Sequence, residues 1–102
     1  MKTVWKAVLT PVEKKASLFI VKMPANAKII MVGPDPANQE CVWFEFERKN
    51  GDNLFERYLE IFGTGDLIPP LSEHVLSFRA GEFIWHLYDH GAVVKPLGMP
   101  LG

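Results

Sequence analysis

Residues 40–62 read ECVWFEFERKNGDNLFERYLEIF, and the two segments they contain set the fold class. Residues 40–49 and 53–62 both place apolar and polar side chains at a period of two, the pattern of a strand with one wet face. Asn50-Gly51 between them is the dipeptide best suited to a tight hairpin, because both central residues of a type I′ turn need positive φ. The stretch therefore predicts an antiparallel hairpin in which Phe46 faces Phe55, Val42 faces Leu59 and Phe44 faces Arg57. One side of it would be aromatic and aliphatic with an arginine. The other would carry Trp43, Glu45 and Glu47 beside Glu56, Tyr58 and Glu60.

Working outward, residues 73–88, EHVLSFRAGEFIWHLY, predict a second hairpin with Ala80-Gly81 at the bend and Arg79 opposite Glu82. Leu76, Phe78, Phe83, Trp85 and Leu87 then share a face, which a one-residue slip would destroy. Ala80 is poorly suited to positive φ, so the register is better defined than the turn type. Upstream, residues 3–10, TVWKAVLT, set Trp5, Ala7 and Leu9 against Lys2 and Lys6 as a strand that Pro11 is expected to end. Residues 16–22, ASLFIVK, are apolar and β-branched, residues 24–27, PANA, read as a turn, and residues 29–32 are a short apolar run. Glycine and two prolines predict a loop over residues 33–38. The total is about six to eight short strands and no convincing helix. The expected fold is all-β, a small antiparallel β-sandwich or open barrel, with residues 1–90 as a single domain and 91–102 as a flexible, frayed tail.

Composition supports one core: the chain has 102 residues, 48% of them hydrophobic. A charged fraction of 23% and a formal net charge of -1 argue against disorder and against a polycation that coats nucleic acid, so no direct nucleic-acid binding is expected. Cys41 is the only cysteine, which excludes an intrachain disulfide and suits a reducing compartment. The first residues lack a signal-peptide core, and no stretch approaches the roughly 20 apolar residues that span a bilayer. A soluble cytoplasmic protein with no membrane partner is expected.

Candidate sites follow from charge and glycine placement. In the predicted hairpin, Glu45 would lie directly opposite Glu56, and such like-charge pairs destabilise a sheet. An unfavourable pairing invites a functional reason, so Trp43, Glu45, Glu47, Glu56, Tyr58 and Glu60 form a candidate docking face for a cationic protein partner. The alternative is a solvated face that discourages aggregation. Gly63, Thr64 and Gly65 in GTGD are candidate ligand contacts, since backbone N–H groups of a glycine turn can cradle an anion. Neither GxxxxGK[ST] nor GxGxxG spacing is present, however, and Asp66 would repel a phosphate. A strand-ending turn is the simpler reading. Lys2, Lys6, Lys14, Lys15, Lys22 and Lys28 concentrate positive charge in the first third of the chain, where a lysine-bearing edge could take a small anionic ligand. His74, His86 and His90 lack the four-ligand spacing of a structural zinc site, so no metal or other cofactor is expected. Cys41 with a histidine is the nucleophile–base pair to consider; nothing in the spacing brings the two together, and a non-enzymatic role is expected.

The opening MKTVWKAVL, the central FGTGDLIP and the closing EFIWHLYD resemble a group of small, largely uncharacterised bacteriophage proteins with a central GTG-x-x-IP block. Gly63, Thr64, Gly65, Ile68, Pro69 and His86 carry the likeness. It extends over residues 1–89, and the GPDPANQE connection and the tail after His90 depart from it. The resemblance implies an accessory protein in the host cytoplasm that binds and modulates a host protein, such as a defence component, through the acidic aromatic face. A sequestering binder of a small anionic nucleotide and a virion or assembly component are the alternatives. Open sheet edges in so small a domain also suit a homo-oligomer.

Overall fold

The computed structural model describes residues 1–12, 15–49 and 53–91, with the backbone alone at Lys15 and Ala16. The strands are β1 (Lys2–Val8), β2 (Thr10–Val12), β3 (Lys15–Pro24), β4 (Lys28–Pro34), β5 (Glu40–Glu47), β6 (Leu54–Gly63), β7 (Glu73–Ala80) and β8 (Phe83–Asp89). No helix occurs among the described residues. Two open antiparallel sheets result, a smaller one in the order β1-β5-β4 and a larger one in the order β2-β3-β6-β8-β7. The chain thus has the expected all-β, sandwich-like architecture. The Asn50-Gly51 turn and the tail from residue 92 onward lie outside the described residues.

The connection between β5 and β6 departs from expectation. These strands do not pair: β5 lies between β1 and β4, whereas β6 lies between β3 and β8. Phe44 is aligned with Trp5 and Ile29, and Val42 with Ala7 and Val32. Leu59 is aligned with Phe19 and Asp89, and Arg57 with Val21. The two apolar faces predicted to lie side by side instead meet across the core. Val42, Phe44 and Leu59 belong to one buried cluster with Val21, Met23, Ile29 and Leu87. Each fully buried aliphatic side chain there contributes about 1.5–3 kcal/mol of transfer free energy.

Short connectors move the chain between sheets. Leu9 is buried between β1 and β2, and its N–H donates to Glu40 O at 2.9 Å. Pro11, expected to end the first strand, sits in β2 at the edge of the larger sheet, where a missing N–H is tolerated. At residues 24–27 the Ala27 N–H donates to Pro24 O at 3.0 Å, closing the predicted turn and returning the chain to the smaller sheet. The predicted loop at 33–38 begins later, because Gly33 and Pro34 still pair with Cys41 and Glu40. Asp35 organises what remains: its Oδ1 accepts N–H donors from Ala37 and Gln39, both at 2.9 Å. Asn38 takes the left-handed conformation, with φ 65°.

The second hairpin forms as β7–β8, with Ala80 aligned with Phe83 and Phe78 with Trp85. Arg79 therefore lies opposite Ile84 rather than Glu82, and Gly81 takes the positive φ, 65°, that Ala80 would resist. A displacement of an even number of residues preserves the faces. Leu76 moves from opposite Trp85 to opposite Leu87, and the apolar side still turns inward.

Candidate functional site

The strand pairing divides the acidic aromatic residues between the sheets. Trp43, Glu45 and Glu47 lie on β5, while Glu56, Tyr58 and Glu60 lie on β6. Glu45 and Glu56 are not opposed, so the expected repulsion does not arise. Lys2 Nζ reaches Glu45 Oε1 at 3.4 Å, and Lys28 is aligned with the same glutamate on the other side. Glu47 pairs with the terminal amine of Met1, which holds its carboxyl below the usual range. Lys6 Nζ lies 5.7 Å from the Trp43 ring centroid and donates to Asp35 Oδ2 at 2.8 Å. That hydrogen bond, with the Gln39 N–H, lowers the Asp35 carboxyl and raises Lys6. On the larger sheet Glu56 is aligned with Lys22, and Glu60 is only 4% exposed. The charges once grouped as a docking face are met by cations or buried.

The GTGD segment forms a closed turn. Asp66 N–H donates to Gly63 O at 3.1 Å, and Gly63 N–H donates to Asp66 Oδ2 at 2.7 Å. Gly65 supplies φ 98°. The protein's own carboxylate thus occupies the Gly63 N–H that could have faced an anion. Thr64 Oγ1 donates to Ile84 O at 3.4 Å and stands 3.0 Å from His86 Nε2. Thr64 and His86, distant in sequence, therefore meet in space. The chain of contacts continues from His86 Nδ1 to Ser77 Oγ at 2.7 Å and on to His74 Nε2 at 2.9 Å.

A second polar chain lies on the same outward side of the larger sheet. Ser72 Oγ is 3.0 Å from His90 Nδ1, and His90 Nε2 is 2.8 Å from Glu60 Oε1. Cys41 is elsewhere, buried in the smaller sheet with its thiol directed to Gln39 O at 3.4 Å, and burial pushes that thiol up. The Cys41–histidine combination is not assembled. Among the described residues no group of three or more His, Cys, Asp or Glu side chains is arranged to hold a metal.

A cleft of about 500 Å³ lies beside the edge strand β1. Trp5, Phe44, Phe46 and Leu54 supply apolar walls, and Lys6, Lys22, Arg48 and Lys49 bring cations to it. No carboxylate is among its described lining residues. Trp5 pairs across to Phe44 on the inward side of β1, yet at the sheet edge it remains 67% exposed. Arg48 is fixed just past β5 by its N–H, which donates to Met1 O at 2.9 Å. Of the early lysines, Lys6 and Lys22 reach this cleft; Lys14 lies outside the described residues. Sequence reasoning recognised a lysine-bearing edge but missed Trp5, Arg48 and Lys49 as its companions, because four separate segments converge there.

The family model of a domain of unknown function, DUF7352, matches residues 1–95. The chain belongs to the DUF7352 family. The DUF7352 match takes in every strand of both sheets and all the cleft residues. Neither a curated protein nor a solved structure matches the chain. Within this DUF7352 domain, no helix among the described residues is long and apolar enough to cross a membrane.

Proposed function

We propose that this DUF7352 protein is a binding protein that captures a small anionic ligand bearing a flat ring, of which a nucleotide is the model case. The carrying observation is the cleft in which Lys22, Arg48 and Lys49 gather, beside a Lys6 paired with Asp35, around aromatic walls with no carboxylate among the described lining residues. A net charge of -1 makes this concentration of cations local rather than general. Low-dielectric walls focus such a field and raise the local concentration of anions. Trp5 offers an exposed indole on which a base can stack, an interaction worth about 1–3 kcal/mol per base. The volume falls within the range of about 300–1,000 Å³ typical of small-molecule sites.

The likeness to small bacteriophage proteins supports an accessory role in the host cytoplasm, where holding such a ligand away from host machinery would be the biological effect. That setting is an analogy of sequence. A docking surface of Trp43, Glu45, Glu47, Glu56, Tyr58 and Glu60 loses its support, since the strands divide those residues.

Thermal unfolding across a panel of nucleotides, nucleosides and inorganic phosphate tests the reading. A nucleotide at a hundred times its dissociation constant is expected to add about 2.7 kcal/mol. For a domain of this size that raises Tm by on the order of 10 °C or more. Nucleosides and phosphate alone are expected to give small shifts. A panel with no shift at any concentration would remove the proposal.

A further inference from the structure

The geometry points to Ser72 as an activated nucleophile, with His90 as its base and Glu60 as the residue that positions the base. This goes beyond ligand capture and rests on different side chains.

Hydrogen-bond polarity carries the assignment. A carboxylate can only accept, so Glu60 Oε1, 2.8 Å from His90 Nε2, selects the tautomer with its proton on Nε2. Nδ1 is then an acceptor, and the Ser72 hydroxyl at 3.0 Å must donate to it. The order is that of a serine–histidine–acid relay, with the imidazole nitrogens exchanged relative to the familiar protease arrangement. In the neighbouring chain the Thr64 hydroxyl donates to Ile84 O, so His86 Nε2–H donates to Thr64 and Nδ1 accepts from Ser77, but the chain of contacts brings no carboxylate to that imidazole. Glu60 is buried beside Phe62, a setting in which a carboxylate stabilises an imidazolium more strongly than it would in water.

The surroundings suit a reactive serine. Leu71, immediately before Ser72, has φ 72° and is 101% exposed, an unfavourable backbone state for leucine of the sort that clusters at functional sites. Leu71 and Glu73, which flank the serine, line a cleft of about 520 Å³ together with His90, Phe55 and Arg57. Phe55 and Leu71 make part of that cleft apolar. The substrate class is therefore a carboxylic ester with a small apolar acyl group and a good leaving alcohol.

The step balances as follows. Ser72 Oγ bonds to the ester carbonyl carbon as its proton moves to His90 Nδ1. The tetrahedral adduct expels the alcohol, which takes that proton and leaves acyl-Ser72. Water then gives a proton to His90 and attacks the acyl carbon, and the second tetrahedral adduct releases the carboxylic acid as His90 Nδ1 returns that proton to Ser72 Oγ.

The test is active-site labelling of the full chain with a fluorophosphonate, alongside p-nitrophenyl acetate, read by intact mass and peptide mapping. Ser17, Ser72 and Ser77 are the serines available for comparison. One adduct at Ser72 is expected, absent in Ser72→Ala and unchanged in Ser77→Ala. His90→Ala is expected to slow labelling by at least about 100-fold, with added imidazole restoring part of the rate. Glu60→Asp is expected to keep more of the rate than Glu60→Gln at equal thermal stability. If the histidine variant does not fold, the distribution of adducts in the native chain decides. Labelling spread over the serines, no adduct, or a rate indifferent to His90 would each overturn the assignment.

Discussion

Two charged regions of the molecule differ in the residues that surround their cations. On the outward side of the smaller sheet, Lys2 meets Glu45, Lys6 meets Asp35 and the terminal amine meets Glu47. In the cleft, Lys22, Arg48 and Lys49 converge with no carboxylate among the described lining residues. Sequence alone made the acidic residues look unanswered and the lysines diffuse. Strand pairing reverses both impressions, which teaches that an excess of charge is a property of neighbours in space.

The comparison can be stressed first at its common support. Leu59→Ala, in the core beneath both regions, is expected to cost about 2–5 kcal/mol in denaturant unfolding. A loss below 1 kcal/mol would mean that the sheets do not meet there. Next in size is Asp35→Asn, which removes the acceptor of Lys6 and weakens the turn that Ala37 and Gln39 donate to. Its Tm is expected to fall by several degrees at neutral pH. Asp35 has a lowered folded pKa, so its contribution is complete above the unfolded value of 3.8 and is lost as pH falls through the lower folded value. The wild-type and variant melting curves should therefore converge on acidification, and a constant gap would contradict the assignment.

A smaller effect separates a turn from a ligand loop. Asp66→Ala, which frees the Gly63 N–H, is expected to cost about 1 kcal/mol and to leave nucleotide affinity unchanged. A gain in affinity would return the GTG segment to consideration as an anion seat. Smallest of all is Glu45→Gln, which breaks an exposed pair and should change stability by less than about 1 kcal/mol.

The strands were legible because alternation is local. Trp5, Ala7 and Leu9 against Lys2 and Lys6 identified β1, and the face shared by Leu76, Phe78, Trp85 and Leu87 survived in β7–β8. The partnership of β5 and β6 was not legible. Period two determines which side chains face inward, but not whether their neighbour is hydrogen-bonded alongside or stacked across the core. Val42 and Phe44 on β5 and Leu59 on β6 satisfy either arrangement. Asn50-Gly51 favoured the first, while the additional strands β1, β3, β4 and β8 selected the second by pairing both edges of β5 and β6. The cleft was hidden for the same reason: Trp5, Lys22 and Arg48 are distant in sequence, and only the packing of the two sheets gathers them.

Calorimetric titration of the full chain with a nucleoside phosphate, compared with Lys22→Glu/Arg48→Glu, tests the central claim most directly. Saturable binding of one ligand per chain is expected, weakened by added salt and reduced at least tenfold in the charge-reversed variant, whose unliganded stability should fall by no more than about 1 kcal/mol for the like charge set opposite Glu56. Equal affinity in the two proteins, or no heat of binding in either, would contradict it.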